Sequence, residues 1–177
     1  MNDKYFQDLV NRIMTGKVVS LHNEQFNHKQ IIEFAYALSR NTTITELYMR
    51  YCRLDDFSVK AIAKALKYNQ NLKILDLYGN IISENGAEDL VKAFKSNKTL
   101  TNIELGYNDI NADASAALKL LTSRNKSYEK LQDMITKVAS VVIKDADLNV
   151  VDGDPEQKQL NIEMKFAGDE MPQNDLN

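Results

Sequence analysis

Three stretches of this chain spell one pattern at a fixed spacing: ITELYMRYCRL from Ile44, LKILDLYGNII from Leu72 and LTNIELGYNDI from Leu100. Each starts 28 residues after the one before, and each reads L-x-x-L-x-L-x-x-N/C-x-L with Ile or Met standing in for some leucines. One more step back gives GKVVSLHNEQF from Gly16, a worn copy that keeps Val19, Leu21 and Phe26. A repeat of this length is a single supersecondary unit. It cannot bury its apolar face alone, so the chain must stack such units against one another.

Other phases recur with the same period. Asn27, Asp55, Ser83 and Asn111 all carry side chains that accept hydrogen bonds from the first free amides of a helix. Fourteen residues later stand Asn41, Asn69, Asn97 and Asn125, and Asn tolerates the left-handed conformation that often ends one. Between start and stop, Ile31, Phe34, Ala35 and Leu38, then Val59, Ile62, Ala63 and Leu66, then Ala87, Leu90, Val91 and Phe94 fall at helical spacing. In the other half of each unit Leu47 and Met49, Leu75 and Leu77, and Ile103 and Leu105 alternate with polar residues as in a strand.

These residues resemble the leucine-rich repeats, and a period of 28 with a helical second half is similar to the ribonuclease-inhibitor subtype. The resemblance covers residues 16–125. It implies an α/β fold, a short right-handed βα solenoid or horseshoe with parallel strands on the concave side and helices on the convex side. It also implies that Asn80 and Asn108 turn inward to bond loop backbone of neighbouring repeats, with Cys52 in that phase. The expected organisation is an N-terminal cap helix over residues 1–15, four repeats over 16–125, a C-terminal cap helix over 126–144 and an acidic tail over 145–177. Tyr5, Phe6, Leu9, Val10, Ile13 and Met14 make the first cap's apolar stripe; Leu131, Met134, Ile135, Val138, Val141 and Val142 make the second.

The formal charge of -3 divides unevenly. Up to Lys144 there are 20 Lys and Arg against 16 Asp and Glu, giving +4, and from Asp145 on there are 2 against 9, giving -7. Nucleic-acid binding wants clustered cations, so nucleic acid is not the expected partner. One cysteine, Cys52, cannot build an intramolecular disulfide framework. The opening residues lack a secretory apolar core and no stretch is long enough for a membrane span. The expectation is a cytoplasmic protein without cofactor or membrane.

Strand positions between the buried leucines line the concave side, which the resemblance implies is the contact surface. Ser20, Tyr48, Asp76 and Glu104 form one column; His22, Arg50, Tyr78 and Gly106 the next; Asn23, Tyr51, Gly79 and Tyr107 lie just beyond. Tyr and Arg dominate binding hot spots because they combine contact area with hydrogen-bonding tips. Tyr48, Arg50, Tyr51, Asp76, Tyr78, Glu104 and Tyr107 are therefore the candidate partner-binding residues, and the partner another protein. Catalysis finds no foothold: Cys52 has an inward phase and His22 an outward one, and no phosphate-binding, zinc-hydrolase or nucleophile-elbow motif is present. The competing readings are a regulator of another enzyme, GTPase-activating or inhibitory, and a host-directed effector or adaptor acting through its tail. The oligomeric state stays open.

Past the repeats, Asp145, Asp147, Asn149 and Glu156 occupy positions 1, 3, 5 and 12 of a calcium loop. Val150, however, replaces the turn glycine that loop requires, and a solvated acidic turn is the competing reading. Leu160, Ile162, Met164 and Phe166 alternate with polar residues as in a short strand.

Overall fold

A computed structural model describes residues 3–147. The order is α1 (Asp3–Thr15), β1 (Val18–Ser20), α2 (His28–Arg40), β2 (Glu46–Tyr48), α3 (Asp56–Leu66), β3 (Ile74–Asp76), α4 (Glu84–Ser96), β4 (Asn102–Glu104) and α5 (Ala112–Asp147). The chain divides into two compact units, one up to Gln132 and one from Asp133 on.

In the first unit the strands form one parallel sheet in chain order, β1-β2-β3-β4. Val19 pairs with Leu47, Leu47 with Leu75 and Leu75 with Ile103, so the register of the sheet is the 28-residue period itself. A slip by one residue would turn every buried leucine to the other face. Leu47, Met49, Leu75 and Leu77 are fully buried, together with Ile31, Phe34, Leu38, Val59, Ile62, Leu66, Leu90 and Phe94 from α2, α3 and α4. Ile103 and Leu105 are only partly buried, so the core thins towards β4. At the other side Phe6, Leu9 and Ile13 of α1 join the same apolar cluster.

The helix starts form as their side chains dictate. Asn27 accepts from the Gln30 amide at 2.9 Å, and the Gln30 side chain accepts from the Asn27 amide in return. Asp55 does the same for Ser58, Ser83 for Asn85 and Asn111 for Ala114.

The asparagines at the helix ends act differently from expectation. Asn41 and Asn97 have extended backbone, not left-handed. Their side chains instead bridge units. Asn69, which is buried, donates to the carbonyls of Leu38 and Asn41 at 2.8 and 3.1 Å and accepts from the amides of Asn71 and Leu72 at 3.0 and 2.8 Å. Asn97 repeats the pattern on Leu66, Asn69, Thr99 and Leu100. Each such side chain satisfies buried backbone groups on both sides of the turn that leads to the next strand.

Asn125 shows why this matters. Its side chain still donates, to Asn97 and Leu100 carbonyls, but its oxygen accepts from the Arg124 guanidinium instead of from turn amides. No turn follows, and α5 runs through it without a break for 36 residues. The expected stop at Asn125 and the separate helix over 126–144 are therefore replaced by one helix, with neither Gly nor Pro to interrupt it. Near its start α5 buries Leu118; farther along, Leu131, Met134, Ile135 and Val138 are exposed, so among the described residues this stripe covers no core. The described part of the second unit, Asp133–Asp147, is the end of that helix. Asn149, Glu156 and the alternating segment Leu160 to Phe166 lie outside the described residues. The backbone at Asp145 and Asp147 is helical, where a calcium loop needs its first turn.

The second inward asparagine phase behaves as the resemblance implied. Asn80 accepts from the amides of Cys52 and Leu54 and donates to the carbonyls of Met49 and Leu77, all at 2.8–3.0 Å. Asn108 accepts from Ile82 and donates to Leu77 and Leu105. Cys52 keeps one limb of the pattern, its thiol donating to the Leu21 carbonyl at 2.8 Å.

Candidate functional site

Three residues beyond the end of each strand the backbone is left-handed, and these four positions fall on one phase: Asn23 (φ 63), Tyr51 (φ 56), Gly79 (φ 70) and Tyr107 (φ 56). This conformation suits Gly and Asn. Two tyrosines adopting it are held there by the surrounding fold, a condition that gathers at binding and active sites.

The reversal of direction throws the tyrosine rings into a row. Tyr51 and Tyr78 meet edge to face with centroids 5.6 Å apart, and Tyr78 and Tyr107 meet at 4.9 Å with planes inclined by 45°. Two glycines make room. A Cβ on Gly79 would come within 2.4 Å of the Tyr51 ring, and one on Gly106 within 3.1 Å of the Tyr78 ring. Each ring thus lies over a glycine of the following unit.

Arg50 closes the row on one side. Its Nε and Nη2 both reach Asp76 Oδ2, at 2.6 and 2.5 Å, and its guanidinium carbon stands 5.6 Å from the Tyr78 ring centre. The Asp76 hydrogen bond raises the Arg50 pKa above its ordinary value. Asp76 is itself buried, and its second oxygen accepts from the Tyr78 amide at 3.1 Å. The sequence places Asp76 on the exposed column; in the structure it is the support beneath Arg50 and offers no free carboxylate. Glu104, one unit on, accepts from the Gly106 amide at 2.7 Å. Desolvation first, and then the hydrogen bond to Tyr51, push the Tyr78 phenol up to about 12, so this hydroxyl keeps its proton at neutral pH.

Tyr48 does not join the row. Its hydroxyl donates to Glu46 Oε2 at 2.6 Å, a bond that raises its pKa, and its ring faces His22 edge-on at 6.3 Å. Tyr51 and Tyr107 are the exposed members, at 51% and 79%. Arg50, Tyr51, Tyr78 and Tyr107 therefore form one contiguous aromatic and cationic patch, with Tyr48 apart from it.

Cys52 is buried, and desolvation pushes its thiol up to about 11, far from a thiolate nucleophile at neutral pH. Among the described residues no group of acidic, His and Cys side chains could hold a metal ion, and no helix is long and apolar enough to cross a membrane.

A set of exposed residues on the helical side went unread in the sequence: Ile32, Tyr36, Phe57 and Tyr68. They stand beside the buried stripe of α2 and α3, and only a comparison of the same phase across all repeats would have singled them out.

The family model described as "TMOD/LMOD Leucine-rich domain" matches residues 15–148. Leiomodin-2 of Gallus gallus is 33% identical over 86 residues, which is 48% of this chain and 16% of that protein. Leiomodin-2 of Homo sapiens is 29% identical over the same length and coverage. The chain thus spans a minor part of these relatives. Among solved structures, one titled leiomodin-1 actin-binding site 2 superposes with a TM-score of 0.63 at 20% identity, covering 78% of this chain and 96% of that one. The C-terminal domain of Caenorhabditis elegans tropomodulin gives 0.50 at 13% identity, covering 75% and 99%. At these identities the structural likeness speaks to the fold, a leucine-rich-repeat-like α/β domain.

Proposed function

The chain belongs to the TMOD/LMOD leucine-rich domain family, and on that premise we propose that it is a non-catalytic module that binds actin through the concave side of its sheet. The observation that carries this reading is the row of Tyr51, Tyr78 and Tyr107 with Arg50 held beside it. Preorganised aromatic and arginine side chains give contact area at small entropic cost. The choice of actin is supported by the fold likeness to a leiomodin-1 segment whose title names an actin-binding site. Tyr48 and Glu104 extend the contact surface, and Asp76 acts through Arg50.

In this reading the repeats over 16–125 form a ribonuclease-inhibitor-like solenoid. The 28-residue register of the sheet supports that subtype. The helix over residues 1–15 caps one end, supported by the burial of Phe6, Leu9 and Ile13. Residues 126–144 extend the last repeat's helix, and 145–177 form an acidic tail. A cytoplasmic setting accords with a lone buried thiol. A GTPase-activating role would need a free arginine; Arg50 is engaged by Asp76.

Fluorescence anisotropy with labelled monomeric actin, and co-sedimentation with filaments, test the reading. Saturable binding is expected, and Tyr78→Ala is expected to weaken it by about 2 kcal/mol, roughly thirty-fold. Absence of saturable binding to either form removes actin as partner. Equal binding by the variant removes the tyrosine row as the site.

A further inference from the structure

On the helical side of the molecule, α2 and α3 leave a groove of about 480 Å³ between them. Its walls are Ile32 and Tyr36 from α2 and Phe57 and Tyr68 from the other side, exposed at 53%, 65%, 43% and 73%. Its floor is made of the small residues Ala35, Ala61 and Ala65. The walls are held in place: His28 stacks on Phe57 with centroids 4.1 Å apart, and the Arg40 guanidinium lies 5.8 Å from the Tyr36 ring centre.

The repeat supplies an internal control. The same four phases one unit later are Lys60, Lys64, Asn85 and Ser96; two units later they are Glu88, Lys92, Asp113 and Arg124. One unit earlier they are Lys4, Asp8, Lys29 and Arg40. At these four phases the other grooves between neighbouring described helices carry polar residues. The fold itself has no need of apolar side chains there, and among the described residues the α2/α3 groove alone has them at all four. A clustered exposed apolar patch of this kind marks a contact site.

The rim selects the occupant's charge. Lys60 and Lys64, one turn apart on α3, line the groove, and no carboxylate lines it. Among the described residues neither lysine has an ion-pair partner, and Arg40 stands at the Tyr36 wall. From Phe57 to Ala65 the groove runs about 12 Å along α3, the length of about two helical turns. We propose that this groove receives an acidic amphipathic helix of a partner protein, its apolar face seated between Tyr36 and Phe57 and its carboxylates on Lys60 and Lys64. Such helix-in-groove recognition reads apolar anchors at helical spacing. It is independent of the sheet-side patch, which lies on the opposite side of the repeats.

The probe is a fluorescein-labelled, helix-stabilised synthetic peptide of roughly four turns with a leucine stripe and glutamates elsewhere, compared with its twin carrying lysines for glutamates. Binding to the 177-residue chain is read by anisotropy. Ile32→Lys with Tyr68→Ser installs the residues that the next unit already tolerates, so folding is expected to be kept, and circular dichroism melts check it. The expected result is saturable binding of the acidic peptide alone, weakened about tenfold or more by that double variant. Lys60→Glu with Lys64→Glu should reverse the preference towards the lysine twin. The proposal is overturned by equal binding of both peptides, by no saturable binding at millimolar peptide, or by binding that the double variant leaves unchanged. Sedimentation showing a dimer of the chain that the double variant dissolves would assign the groove to a second copy instead. Actin binding should be unaffected by these variants, so failure here and failure of the actin reading are told apart.

Discussion

The ring of Tyr51 lies so close over Gly79 that a Cβ there would meet it at 2.4 Å, while Gly79 itself has φ +70. One residue thus combines two requirements, a left-handed backbone and an open space for the ring of the preceding unit. Gly79→Ala should cost about 1–3 kcal/mol, from backbone strain and displacement of the ring. Adding Tyr51→Ala removes the collision and leaves the backbone term, so urea unfolding of the two single variants and the double should be non-additive. Strict additivity would show that the ring and the glycine do not compete for space.

The asparagine ladder is expected to dominate single-residue stability. Asn69→Ala strands the amides of Asn71 and Leu72 and removes one donor each from the carbonyls of Leu38 and Asn41, which keep the Asn41 amide and the Asn71 side chain. A loss of about 3 kcal/mol or more is expected by chemical denaturation, since each buried orphan group costs about 1–3 kcal/mol. Asn125→Ala, whose oxygen serves only Arg124, should cost less.

The two flanking apolar stripes should differ in weight. Phe6 is buried in the common core and Val138 is exposed at 63%. Phe6→Ala is expected to cost about 3 kcal/mol or more, and Val138→Ala to stay within about 0.5 kcal/mol. Thermal melts of the pair check this, and equal losses would mean that the far end of α5 is covered.

Alkaline pH should destabilise the fold partly through Cys52. Burial raises its pKa from 9.0 to about 11, so the folded state holds the thiol proton more tightly than the unfolded chain does. Stability is then unaffected by this group below pH 9 and falls as pH rises from about 9 to about 11. Tyr78 acts in the same direction at higher pH. Cys52→Ala should flatten the lower part of that decline, and a disulfide reagent at pH 8 should label the native thiol far more slowly than the unfolded one.

Arg50→Lys tests the support beneath the row. Lysine keeps the charge but cannot set two nitrogens on Asp76 while lying flat against Tyr78. Partner binding should weaken by about fivefold or more, with little change in melting temperature. A variant indistinguishable in affinity would reduce Arg50 to a surface ion pair.

Most of the architecture was legible along the chain because its causes are local or repeat exactly once per unit. The spacing of Leu47, Leu75 and Ile103 carries the strand register, Asn27, Asp55 and Ser83 mark helix starts, and the alternation along each strand sets the columns of Tyr51, Tyr78 and Tyr107. What those columns hide is depth. Asp76 shares its phase with Tyr48 and Glu104, yet it is buried, because Arg50 of the neighbouring strand folds down onto it.

The amino-acid order alone determined the period, the pairing partners and the alternation of inward and outward residues, since each follows from steric and hydrogen-bonding preferences of a few adjacent residues. The tertiary structure decided where the pattern stops having effect. Asn125 is chemically the same as Asn69, but its oxygen is taken by the Arg124 guanidinium, not by turn amides, and the helix runs on through it. Whether Ile32 and Tyr36 or Leu131 and Met134 are covered likewise depends on what packs beside them, and that is a property of the stack of units, invisible to any one unit.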